Sequence, residues 1–127
     1  MAISPYLAEL RAVVGHRLLL VPTVAVLPRD ADGRILLVRV TDSGLWATVG
    51  GAIDPDETPE DAAVREAAEE ANVIVRLRSL VTVVGGPGYR LTYPNGDRAA
   101  FVSAVYDAEI DSGEPAPDHE ETCEVGW

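Results

Sequence analysis

Apolar and polar residues alternate along this chain in two periods, and each period predicts an element type. Leu7, Leu10 and Val14 recur at helical spacing. Ser4 offers a capping hydroxyl ahead of Pro5 at the first helical position, and Gly15 offers a stop, so the chain opens with a short helix. Residues 17–28 and 34–40 are rich in β-formers and flank a turn at Asp30-Ala31-Asp32-Gly33. The run Leu18 to Leu27 is apolar but short and broken by Pro22, which makes it a buried strand and not a membrane span. A short segment from Leu45 to Val49 leads into Gly50-Gly51.

Thr58 and Pro59 open a second helix in the same way as Ser4 and Pro5. Its expected apolar stripe is Val64, Ala67, Ala68 and Ala71, with carboxylates on the opposite face. Residues 73–84 return to β character, and Gly85-Gly86-Pro87-Gly88 is an irregular loop. Leu91–Tyr93 and Arg98–Val105 predict a hairpin about Asn95-Gly96. A loop rich in acids and prolines is expected from Asp107 to Glu121, then a last strand from Thr122 to Trp127. The pattern carries no repeat or linker, so the expectation is one domain over residues 1–127. A sheet of this kind wants a further helix after Trp127 to cover it.

Composition narrows the chemistry. The chain has 127 residues, 47% of them hydrophobic, enough for a real core built mainly from aliphatic side chains. Its net charge of −11 argues against broad nucleic-acid binding through phosphates. There is no lysine, and all ten basic residues are arginine, which excludes a Walker-type phosphate loop and Schiff-base chemistry. Cys123 is the single cysteine, so no intrachain disulfide forms; it reads as a strand-packing thiol. With no signal peptide visible, the expected location is cytoplasmic, without a membrane partner.

The candidate chemistry lies on the second helix. Glu66, Glu69 and Glu70 stand at i, i+3 and i+4, which gathers three like charges on one face. Glu69 and Glu70 also fall in the last turn, where the helix dipole disfavours anions. Stability alone does not select this arrangement; a divalent cation explains it. Acids cluster a second time between residues 107 and 124, and two clusters in one small domain can converge on one metal site.

Reading from Gly51, the spacing G-x5-E-x7-R-E-U-x-E-E-x-G-U (U aliphatic) is met by Gly51, Glu57, Arg65, Glu66, Glu69, Glu70 and Val73. This resembles the Nudix box. Val49, Asp56, Ala67 and Asn72 depart from common residues of the box, and none of these changes removes a metal ligand; asparagine at position 72 still tolerates a left-handed helix stop. The resemblance implies an α/β fold, a Nudix α/β/α sandwich with a central mixed β-sheet, and an enzyme, a pyrophosphohydrolase acting on acid anhydrides. It implies Mg²⁺, with Mn²⁺ as a substitute, held by Glu66, Glu69, Glu70 and the Gly50 carbonyl. Arg65 and Glu57 become orienting partners: Arg65 can reach Glu69 on the next turn, while Glu57 sits just before the helix. For the general base it leaves Glu66 open against Glu121 or Glu120. Arg39, Arg90 and Arg98 can grip phosphate, and Trp46 and Tyr89 can stack on a base, although each is also an ordinary surface or packing residue. The substrate candidates are therefore Arg39, Trp46, Tyr89 and Arg90.

The implied reaction is Mg²⁺-dependent hydrolysis of a diphosphate bond in a nucleoside diphosphate linked to another group. Pro87 favours ADP-ribose or a nucleotide sugar; Tyr89 favours dinucleoside polyphosphates; nucleoside triphosphates stay open. A non-catalytic nucleotide sensor and an isomerase of the same superfamily are the rivals, both disfavoured by the complete box. The partner is a small molecule, and members of the family are often homodimers.

Overall fold

Both helices begin where their caps stand. The computed structural model, which describes residues 3–127, places α1 at Pro5–Val14 and α2 at Pro59–Ala71. Ser4 Oγ accepts the Leu7 N–H, and Thr58 Oγ1 accepts the Asp61 N–H at 3.1 Å. α1 ends at Gly15, and α2 ends on Asn72 in the left-handed region at φ 57°, as its short polar side chain allows. Arg11 ties α1 down by donating to the carbonyls of Gly15, Arg17 and Arg98.

Seven strands form one sheet: β1 Leu19–Arg29, β2 Leu37–Val40, β3 Trp46–Ala52, β4 Ile74–Val84, β5 Arg90–Thr92, β6 Arg98–Ser112 and β7 Thr122–Gly126. The order is β4-β6-β1-β3-β2-β7, with β5 also paired to the start of β6. Only the β1–β6 pair is parallel among these, so the sheet is mixed, and with the two helices the fold is the expected α/β class. Among the described residues no helix is long and apolar enough to cross a membrane.

Three expectations need correction. Residues 107–112 are not loop, because β6 runs on to Ser112. Its acids are held by arginines of neighbouring strands: Asp107 accepts from Arg29 Nε at 2.6 Å, and Glu109 binds Arg76 and Arg78. The apolar stripe of α2 is also rotated. The fully buried alanines are Ala62, Ala63, Ala67 and Ala71, packed over Val24, Val26, Val49 and Tyr106, while Val64 and Ala68 are only half-buried. The methyl-sized stripe lets the helix lie close to the sheet, and the rotation carries Glu66 and Glu70 inward. Cys123, read as a packing thiol, is exposed on β7.

Candidate metal centre

The rotation of α2 decides the geometry of the acidic site. Glu66 and Glu70 are buried, with 6% and 7% of their surface exposed, and face the Gly50-Gly51 stretch of β3. The Gly50 N–H donates to Glu70 Oε1 at 2.9 Å. The double glycine is a clearance requirement. A Cβ at Gly51 would stand 2.5 Å from Glu66 Oε1, and one at Gly50 would stand 2.2 Å from the Val24 carbonyl oxygen.

Glu121 completes the cluster from the other side. One carboxylate oxygen each from Glu66, Glu70 and Glu121 lie within 4.8 Å of one another. Such a set of hard oxygen donors fits a divalent cation, whose charge offsets their repulsion. Glu69 does not join the three: it is exposed and accepts from Arg65 Nη1 at 3.2 Å. Glu120 is exposed as well.

Arg65 organises the outer side. It donates to both Glu57 oxygens (2.6 and 3.0 Å), to Glu66 Oε1 (2.9 Å) and to the Ala52 carbonyl (3.0 Å). Glu57 in turn accepts the Asp54 N–H at 2.9 Å, which closes the loop before α2. Arg65 thus links Glu57, Glu66 and Glu69, and its reach to Glu69 is the i,i+4 contact of neighbouring turns. The Arg65 hydrogen bond holds the Glu57 carboxyl below the usual range. The inner carboxyls move the other way. Burial raises Glu66 to about 7 against the pull of Arg65, with Glu69 and Glu121 adding repulsion. Burial likewise raises Glu70 to about 8 despite the Gly50 N–H, with Glu66 and Glu121 adding to it.

Two residues that sequence reasoning passed over hold Glu121 in place. Asp118 Oδ1 accepts the N–H groups of Glu120, Glu121 and Thr122 at 2.8 to 3.0 Å. Burial pushes the Asp118 carboxyl upward, but these amides outweigh it and the net shift is downward. Thr122 is fully buried, and its Oγ1 donates to the Glu70 carbonyl at 2.8 Å, which joins β7 to the end of α2. The Asp-x-x-x-Thr spacing is the one trace of this turn in the sequence.

The four substrate candidates fall into two places. Arg39 and Trp46 face each other across β2 and β3. Arg39 donates to the Gly44 carbonyl and to Glu124. Trp46 is half exposed and overlies Gly126, and with Leu37 and Trp127 it lines a hollow of 280 Å³. Tyr89 and Arg90 stand apart. Arg90 is in register with Ala100, whereas Gly50 is level with Ala25 and Val105. Five residues of strand place Tyr89 and Arg90 roughly 16 Å along the sheet from the carboxylates.

The NUDIX domain family model matches residues 19–127. Over 122 residues the chain is 30% identical to a MutT-like protein of Streptomyces ambofaciens, covering 96% of this chain and 71% of that protein. It is 32% identical over 123 residues to an ADP-ribose pyrophosphatase of Methanocaldococcus jannaschii, covering 92% and 71%. Of the solved structures, a MutT Nudix hydrolase from Burkholderia pseudomallei superposes with a TM-score of 0.69 at 29% identity, over 86% of this chain and 82% of that one.

Proposed function

The chain belongs to the Nudix family of hydrolases, and from that premise we propose that it hydrolyses the diphosphate bond of a nucleoside diphosphate joined to a second group, ADP-ribose or a nucleotide sugar, with Mg²⁺. The observation that carries this reading is the convergence of Glu66, Glu70 and Glu121 within 4.8 Å. The similarity to an ADP-ribose pyrophosphatase supports the substrate class.

Glu66 and Glu70 would hold the cation, with the Gly50 carbonyl as a further ligand. Both carboxylates have fixed orientations, Glu66 through Arg65 and Glu70 through the Gly50 amide. Glu69 belongs to the outer rim of this site, where it steadies Arg65. When bound, Mg²⁺ neutralises substrate phosphates and makes a neighbouring water more acidic. Glu121 comes from a loop on the opposite side of the cluster, and we assign it the proton of the attacking water in preference to Glu66 or Glu120. The water oxygen forms the new bond to phosphorus, the bridging P–O bond breaks, and the second phosphate leaves with the electron pair. The products are a nucleoside monophosphate and the phosphorylated partner group. Arg39 and Trp46, beside β7, are the nearer candidates for contacting the rest of the substrate.

Product analysis with Mg²⁺ over ADP-ribose, nucleotide sugars, dinucleoside polyphosphates and nucleoside triphosphates tests the reading. Turnover is expected first on ADP-ribose or a nucleotide sugar, with nucleoside monophosphate as product. Binding of these compounds without turnover would replace hydrolysis by a sensing role, and preferential turnover of a triphosphate would overturn the substrate class.

A further inference from the structure

The end of α2 and the loop joining β6 to β7 are built against each other. The last carbonyls of a helix have no partner within it. Here the loop supplies the donors. The Ala116 N–H reaches the Ala71 carbonyl at 3.0 Å, and Thr122 Oγ1 reaches that of Glu70 at 2.8 Å. The loop also leaves β6 hard against residue 72. A Cβ at Gly113 would stand 2.5 Å from the Asn72 carbonyl oxygen, and the φ of +95° at Gly113 is one that glycine alone takes readily. Asn72 adds a third link: its Nδ2 donates to the Glu114 carbonyl at 3.0 Å.

That third link is not needed to end the helix. Asn72 holds the left-handed conformation at φ 57°, which glycine adopts at lower cost. What glycine lacks is the side-chain N–H. The link is also placed to act at a distance, because Glu114-Pro115-Ala116-Pro117 is a stiff run. Each proline has a fixed φ and confines the residue before it, and the Ala116 N–H between them is already bonded to α2. Fixing the Glu114 carbonyl therefore fixes where Asp118 begins its turn, and that turn delivers Glu121.

We propose that Asn72 is a positioning residue for Glu121, acting through this strut to hold the carboxylate in place beside Glu66 and Glu70. Both of those residues ride on α2, so the loop takes its position directly from the helix that carries them. The inference rests on the assignment of Glu121 to the proton of the attacking water. Displacing such a group slows proton transfer without weakening ground-state binding.

The test is Asn72→Gly, which keeps the helix stop and removes only the side-chain link. Hydrogen exchange of the Ala116 amide, followed by NMR, should quicken by about threefold to tenfold, the equivalent of one lost hydrogen bond. In steady-state assays kcat should fall by a similar factor, while KM, Mn²⁺ affinity and the exchange of the α2 amides keep their wild-type values. Gly113→Ala, which forces a methyl onto the Asn72 oxygen and undocks the loop, should lower kcat further. Adding Asn72→Gly to it should then cost nothing more, since a link to an undocked loop positions nothing. Should Gly113→Ala fail to fold in thermal melts, Asn72→Asp is read instead: it tolerates the same backbone, has no N–H to donate, and should lose at least as much as Asn72→Gly. Unchanged Ala116 protection in Asn72→Gly overturns the tether, whether or not any substrate is turned over. Lost protection with unchanged kcat in an active protein overturns the positioning role, as does a KM or Mn²⁺ affinity that shifts as far as kcat. A wild type that hydrolyses nothing, while Ala116 protection still depends on Asn72, refutes the hydrolysis reading and the positioning role with it but upholds the tether.

Discussion

Neutralising Glu70 should stabilise the metal-free protein at alkaline pH while destroying its response to metal. Burial raises the Glu70 carboxyl from 4.5 to about 8, with repulsion from Glu66 and Glu121 added. A carboxyl raised on folding contributes stability that is fully present below 4.5 and is lost as pH climbs through about 8. At 1.36 kcal/mol per unit, a carboxyl raised from 4.5 to about 8 costs on the order of 5 kcal/mol of stability at pH 8.5. Glu70→Gln removes that cost, and its amide oxygen can still accept the Gly50 N–H. In EDTA at pH 8.5 the variant should melt roughly 15 to 20 °C above the wild type, a difference that narrows toward pH 5. Addition of Mg²⁺ should reverse the order, since a ligand that binds only the folded state stabilises it and the variant has lost a ligand group. The assay is a set of thermal melts from pH 5 to 8.5 with EDTA or Mg²⁺. A variant that melts below the wild type at pH 8.5 in EDTA, with the same pH slope, would refute the claim that Glu70 is held under electrostatic stress.

Three further outcomes follow from the same geometry. Gly51→Ala pushes a methyl to within 2.5 Å of Glu66 Oε1; kcat should fall at least tenfold in steady-state assays, more than KM changes, because a ligand carboxylate is displaced. Asp118→Ala frees three backbone amides beside Glu121, and with ~1 kcal/mol or more lost per charged hydrogen bond the turn should gain hydrogen-exchange rate while kcat drops and Mg²⁺ affinity holds. Arg65→Ala leaves Glu57 and Glu66 without their shared cation; denaturant titration should show a loss of about 2 to 4 kcal/mol, with Arg65→Lys recovering only part because one ammonium cannot reach Glu57, Glu66 and the Ala52 carbonyl together.

What could be read from the sequence was whatever depends on near neighbours. Ser4 and Thr58 capped their helices, Asn72 ended the second one, and Arg65 reached Glu69 one turn on, because capping and i,i+4 contacts are local. Helix rotation was not readable in this way. Alanines occupy positions 62, 63, 67, 68 and 71, so the residue types offered little contrast between a buried and a half-buried side, and the sheet chose the face that buries Glu66 and Glu70. The acids of residues 107–111 looked like loop because their arginine partners lie on β1 and β4, far away in the chain. Glu121 and Glu120 are adjacent and chemically alike; the turn around Asp118 sends the first, and not the second, to the cluster. The 16 Å or so between Arg90 and the carboxylates likewise depends on register, which the Gly-rich loop before β5 does not reveal.

The central claim, that Glu66 and Glu70 hold a divalent cation beside Glu121, is met most directly by titrating Mn²⁺ into the protein and following free Mn²⁺ by electron paramagnetic resonance. The wild type should bind Mn²⁺ with an affinity that rises between pH 6 and 8.5 as the raised carboxyls ionise, and Glu66→Gln with Glu70→Gln should weaken binding at least a hundredfold. Unchanged Mn²⁺ affinity in that double variant, correctly folded, would contradict it.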